Sequence, residues 1–304
     1  MRSTFRSSVI GALLVVVALV AAACGSGDDA GAKEGPTIVI GSANFSENAL
    51  LAEIYAQALE ANGYSVDRQL NIGTREIYKP ALESGEIDLV PEYVGSALST
   101  LGGTPTSDTA ATASALADAW ADAGVEVLDP APAQDKNGIV VRQDTADELG
   151  LTTVSDLAPH ADSLIFGGPP ECPEREFCMI GLEDVYGIHF AEFKPLDVGG
   201  ALTVTALEGD EIQVALLFTS DGVISARGFV LLEDDQGLQP AENVIPAIRA
   251  DIVDAYGDDL VSVLNDVSAA LTTEDLTQLN ERVGYNGEDP DEVATDWLSE
   301  QGLV

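Results

Sequence analysis

From about residue 37 to residue 250, short apolar runs alternate along this chain with segments of helix length. Residues 37–41 (TIVIG) are too short for a helix and rich in β-branched side chains, so they read as a strand. Ser46 is then placed to cap a helix running to about residue 61. On it Leu50, Leu51, Ile54, Ala58 and Leu59 share one face, and Gly63 supplies the stop. Further strands are predicted at 65–70, at 86–90 before Pro91, and at 125–128, with helices at about 76–83 and 110–123 between them. This alternation predicts an α/β unit whose crossover helices cover a parallel sheet.

Residues 130–137 (PAPAQDKN) interrupt the alternation with prolines and polar side chains, as a crossing between two units would. A second series follows, with strands at 138–142, 163–167, 193–198, 212–218, 229–233 and 244–248 and a helix that includes 182–186. From residue 251 the pattern is helical only. Thr272, and Asp289 with Pro290 at N1 and Glu292 at N3, carry helix-start chemistry. Helices without strands have no sheet of their own and must pack on the first unit. The expected organisation is lobe 1 at 37–136, lobe 2 at 137–249 and a helical return to lobe 1 at 250–304, with no repeat of fixed period.

The N-terminus differs from the rest. Arg2 and Arg6 precede an apolar run at 9–20, broken by Gly11, and Ala21 to Ala23 stand just before Cys24. The run falls short of the roughly 20 apolar residues that span a bilayer, and its basic start and small-residue end make residues 1–23 a secretory signal. The segment resembles a bacterial lipobox, with Ala21 where Leu is usual. The resemblance implies that Cys24 is lipidated and that 24–36 form a flexible tether. The two remaining cysteines, Cys172 and Cys178, make an even pair expected to form a disulfide in an exported protein, fixing the shape of the loop between them. A metal site is the weaker reading, because His160 and His189 give no recognisable ligand spacing with them.

Charge narrows the function. Thirteen basic residues stand against 52 acidic ones, a formal net charge of -39. Such a chain cannot present the basic surface that neutralises phosphates, so nucleic acid is excluded as a partner. Basic docking on anionic lipid is excluded too, which leaves the lipid anchor as the sole membrane attachment of an extracytoplasmic protein. No nucleophile, zincin or phosphate-loop motif is present, and the acidic runs 233–235 and 258–259 lack the spacing of a calcium loop. Neither a catalytic residue, a cofactor nor a metal is therefore expected.

The remaining chemistry lies at the ends of predicted strands, where open α/β sheets place their ligands. Asn44, Phe45 and Ser46 follow the first strand, Gly73 and Thr74 the second, and the PEYVGS run at 91–96 the third. In the second unit the loops at 167–171 (GGPPE) and 219–222 (TSDG) occupy equivalent points. Each loop alone reads more readily as turn or cap chemistry. Five facing one cleft point to a binding site.

The segments SANFSENALLAEIYAQALE, ALESGEIDLVPEYVGSAL, NGIVVR with LTTVSDLA, ALEGDEIQVALLFTSDG and FVLLEDDQGLQPAENVIPAIR, in this order, resemble the substrate-binding proteins of glycine betaine/carnitine/choline ABC importers, the OpuAC-like type. The resemblance covers about residues 37–304. It implies a two-lobed type II periplasmic-binding fold with the ligand cleft between the lobes, no catalysis, a small solute as ligand and a membrane permease as partner of a monomeric protein. It also implies roles for Asn48 at the start of the first helix, for Thr74 after glycine, for Tyr93 as a cage aromatic and for Ser96 in the same loop. Asn137 stands where members often carry a tyrosine, and Thr219 and Asp221 lie in the TSDG loop. Of the matching cage positions only Tyr93 is aromatic, so a non-quaternary polar solute is one alternative to a betaine. A surface sensor is another.

The anchor is testable first. Cys24→Ala should shift the protein from the membrane fraction to the soluble fraction or stall its processing, and equal partitioning of both forms would remove the lipid anchor.

Overall fold

In this computed structural model residues 32–304 are described, so the signal segment at 1–23 and Cys24 lie outside the described residues. The end of the expected tether is already docked, since Lys33 N donates to Gly63 O and the Tyr256 hydroxyl donates to Pro36 O.

The first lobe opens with β1 (Ile38–Ala43), α1 (Ser46–Ala61), β2 (Val66–Gly73), α2 (Arg75–Ser84), β3 (Leu89–Tyr93), α3 (Val94–Thr100), α4 (Thr109–Trp120) and β4 (Val125–Val127). The chain then crosses into β5 (Asn137–Arg142), α5 (Gln143–Leu149), β6 (Ile165–Gly168), α6 (Met179–Tyr186), β7 (Glu192–Pro195), α7 (Ala201–Glu208), β8 (Val214–Phe218), α8 (Gly222–Ala226) and β9 (Phe229–Leu231). It returns through β10 (Val244–Arg249) to α9 (Ala250–Tyr256), α10 (Asp258–Ala270), α11 (Thr273–Asn280) and α12 (Pro290–Gln301).

Two five-stranded sheets result, in the orders β2-β1-β3-β10-β4 and β7-β6-β8-β5-β9. The orders correspond. In each lobe the strand that follows a crossing inserts fourth in the row and runs antiparallel to both neighbours, β10 between β3 and β4 and β5 between β8 and β9. The sheets are thus mixed, not parallel as the alternation predicts. Moreover β10, assigned from sequence to lobe 2 within 137–249, belongs to lobe 1. Its run is fully buried, as suits a central strand covered on both faces, but nothing within it names its partner. The two crossings touch through an antiparallel bridge between Gln134 and Asn243.

Two local expectations also change. Strand β3 does not stop at Pro91 but passes through it, in register with Pro246 of β10. Neither proline has an N–H to give the ladder, and the Pro91 carbonyl is satisfied from outside the sheet by Asn48 Nδ2 at 3.0 Å. Helix α1 starts at Ser46 itself, with Phe45 in the extended capping position and no side-chain cap. It is buried on nearly every side rather than along one stripe, because the sheet lies under it and the return helices lie over it. Thr272 and Asp289 do cap α11 and α12 through their side chains.

The return helices share one apolar core with the first sheet. Leu264 of α10 and Trp297 and Leu298 of α12 pack in the same cluster as Ile38 and Ile40 of β1 and Leu50 and Ile54 of α1. They complete lobe 1. Trp297→Ala should therefore lower the unfolding free energy by about 3–5 kcal/mol in denaturant titration, and a loss below about 1 kcal/mol, the level of ordinary surface changes, would show α12 to be dispensable.

Candidate functional site

The loops at the strand ends of both lobes meet around one cavity of about 160 Å³. Asn44 and Phe45 reach it from the β1–α1 turn, Thr74 from the cap of α2, Tyr93 from the end of β3, Ser96 from α3 and Asn137 from the start of β5. Residues that no motif singled out join them, chiefly Arg75, Asp135, Phe177, Phe218 and Glu242. Phe45 stacks on two further rings, Tyr93 with centroids 6.1 Å apart and planes inclined by 29°, and Phe218 at 5.6 Å and 25°. Tyr93 stays the one aromatic of the matching positions, and the other rings of the cavity come from outside them. Phe218 directly precedes the TSDG loop and Phe177 sits inside the cysteine ring, both visible in the sequence but outside the matching positions.

Three of the nine predicted ligand contacts do not line this cavity. Asn48 is fully buried, accepting from Ala43 N at 2.7 Å while donating to Pro91 O, so it ties the end of β1 to β3. Thr219 Oγ1 accepts from Lys136 N at 2.9 Å and fixes the first crossing. Asp221 accepts from Phe218 N at 2.9 Å and holds the end of β8, with its carboxyl pushed up to about 7 by burial. All three position the strand ends that carry the pocket. Of the polar groups that do line it, Asn137 Nδ2 is committed to Phe177 O at 2.9 Å and Thr74 Oγ1 to Glu76 at 2.8 Å.

Two buried networks surround the rings. In the first, Arg75 forks onto Glu92 with contacts of 2.9 and 2.8 Å, and the Tyr78 hydroxyl donates to the same carboxylate at 2.8 Å. Beside them Ser96 donates to Glu242 from Oγ at 2.7 Å and from its backbone N at 3.1 Å. This approach depends on Gly95, since a Cβ there would stand 2.5 Å from Ala241 O. Burial pushes the Glu242 carboxyl up to about 7.

The second network joins the lobes. Glu47, in the first turn of α1, accepts from the Tyr93 hydroxyl at 2.5 Å, from Ser220 Oγ at 2.6 Å and from Asn280 Nδ2. Ser220 also lies 2.7 Å from Asp135. Burial raises the carboxyl groups of both Glu47 and Asp135 above their ordinary range, and the nearby Glu47 charge adds to the rise at Asp135. Among the described residues no cluster of His, Cys, Asp and Glu is arranged to hold a metal ion.

Cys172 and Cys178 are joined, with their Cα atoms 5.3 Å apart. The six-residue separation makes a small ring that presents Arg175, Glu176 and Phe177 to the cavity. From the same ring Arg175 pairs with Glu76 of α2, and Ser99 Oγ of α3 donates to Glu176 at 2.9 Å, so it bridges the two lips of the cleft.

A family model described as the substrate binding domain of ABC-type glycine betaine transport systems matches residues 36–300. The glycine betaine-binding protein YehZ of Escherichia coli (strain K12) is 29% identical, over 87% of this chain and 90% of the relative. The carnitine transport binding protein OpuCC of Listeria monocytogenes is 26% identical over 86% of each. A solved structure described as a glycine betaine/carnitine/choline ABC transporter has a TM-score of 0.71 at 23% identity, covering 88% of this chain and 99% of its own. Apo YehZ has a TM-score of 0.65 at 28% identity, covering 89% of this chain and 100% of that one. The match runs through both lobes, both crossings and the return helices. This chain belongs to the substrate-binding domains of ABC-type glycine betaine transport systems.

Proposed function

We propose that this importer component holds a small quaternary ammonium solute of the glycine betaine, choline or carnitine class between its lobes and hands it to a membrane permease. The stacking of Phe45 on Tyr93 and Phe218 carries this reading. Ring faces attract a diffuse cation without hydrogen bonds, which a quaternary nitrogen cannot make. The acidic groups on the same wall, Asp135, Glu171, Glu176 and Glu242, favour positive charge, and the small cavity suits a solute below drug size. A polyhydroxylated solute is served less well, because Asn137 and Thr74 already donate to the protein. The names of the relatives point to the same class.

The extracytoplasmic placement of the family agrees with the signal at 1–23, and lipidation of Cys24 would keep a monomeric binding protein beside its permease. No helix among the described residues is long and apolar enough to cross a membrane.

Thermal-shift screening of glycine betaine, choline, carnitine and a polyol should return stabilisation by the quaternary compounds, since a ligand that binds only the folded state raises its stability. Phe45→Leu keeps apolar bulk and removes the ring, so calorimetric affinity for the best solute should fall by on the order of 2 kcal/mol, about thirtyfold. Unchanged affinity in that variant, or stabilisation by the polyol alone, would reject the quaternary class.

A further inference from the structure

Ser220 Oγ stands between two carboxyl groups, 2.6 Å from Glu47 Oε2 and 2.7 Å from Asp135 Oδ1. A hydroxyl has one hydrogen to give. If both acids were ionised, one of these short contacts would set an anionic oxygen against a lone pair. One of the two acids must therefore carry a proton and donate it to Ser220 Oγ.

The surroundings say which. Both Glu47 oxygens have other donors, the Tyr93 hydroxyl on Oε1 and the Asn280 amide on Oε2, and this set stabilises an anion. Asp135 has only the Ser220 backbone N, at 3.2 Å and on the same Oδ1, while Oδ2 has no donor. Two acids act on Asp135, Glu47 from α1 and Asp221 from the loop after β8, while Tyr93 on β3 is committed to Glu47 and Arg75, on the same cavity, to Glu92. Glu242 on the return crossing accepts Asp135 N through its backbone carbonyl at 3.0 Å and keeps its carboxyl on Ser96. The Asp135 carboxyl is held well above its ordinary range, first by burial and then by Glu47, in keeping with the geometry. Asp135 is nevertheless part of the cavity wall.

We propose that Asp135 is a neutral acid in the solute-free protein and that a cationic solute entering the pocket displaces its proton to solvent, which makes solute capture a proton-releasing step. The inference rests on the cationic class of solute proposed above. The charge balances. Choline arrives with one net positive charge, the Asp135 O–H bond breaks, a proton leaves to the buffer and the carboxylate remains as counter-ion to the solute, whereas glycine betaine brings a carboxylate of its own and no net charge to exchange for the proton. Protons then compete with the solute, so affinity rises with pH while Asp135 is still protonated in the free protein, by at most about tenfold per pH unit for one proton released.

Calorimetry of choline at neutral pH, in buffers of different ionisation enthalpy, should show release approaching one proton per solute. Asp135→Asn provides the control, because its amide donates to Ser220 as the protonated acid does and the fold should persist. That variant should bind more weakly, release no such proton and lose the pH dependence. Infrared spectroscopy of the solute-free protein should show the carbonyl stretch of a protonated carboxyl at neutral pH that is missing in Asp135→Asn. Absence of that difference would overturn the held proton, and binding without release, or equal release by the variant, would overturn its displacement. If no quaternary solute binds, the functional reading and the displacement step fail together, while the infrared band decides the held proton independently.

Discussion

A carboxylate taken out of water has to be given donors or it costs several kcal/mol. Glu47 meets this demand from three directions. Tyr93 comes from the end of a lobe 1 strand, Ser220 from the loop after β8 in lobe 2, and Asn280 from the last turn of α11. One buried side chain is therefore the point at which both lobes and the return helices must agree in position. The Tyr93 hydroxyl is held on Glu47, so the direction of its ring, and the spacing of the Phe45 stack beside it, follow from that hydrogen bond.

The pocket works by exhausting its own polarity. Arg75 is engaged by Glu92, Asn137 by the Phe177 carbonyl, Thr74 by Glu76 and Ser96 by Glu242. Beside these paired groups the cavity wall carries the rings of Phe45, Tyr93 and Phe218, the acids Asp135 and Glu171, and Asn44 and Arg175. The disulfide ring adds Phe177 from the far lip and keeps that lip in contact with α2 and α3.

Much of this was legible in the residues. Strand and helix placement follows from apolar periodicity, and the caps at Thr272 and Asp289 from their side chains, because those signals are local. Four pocket loops could be named because strand ends in an α/β sheet carry ligands. The destination of β10 was not legible, since a run such as VIPAIR is equally apolar in either sheet and its partner is remote in the chain, Val244 lying against Tyr93 and Ile248 against Leu89. Asn48 was named as a ligand contact only through the family resemblance, which does not say where its side chain is spent. Only the opposed prolines, Pro91 and Pro246, reveal the carbonyl it has to satisfy. Asp135 gave no signal at all, for a lone aspartate in a polar crossing segment differs from a buried one only through neighbours that arrive from elsewhere.

The insertion of β10 between β3 and β4 also sets the order in which the molecule can be completed. Strand β4 has no neighbour in its sheet except β10, and the lobe 1 core lacks α10 and α12 until the last residues are available. Lobe 2, by contrast, draws all five of its strands from the continuous stretch between Asn137 and Leu231. Its contacts are the more local ones, and local contacts close at the smaller entropic cost. The half of the molecule that begins second is therefore the half that can finish first, and the N-terminal lobe stays open along the edge of β3 until the chain comes back to it.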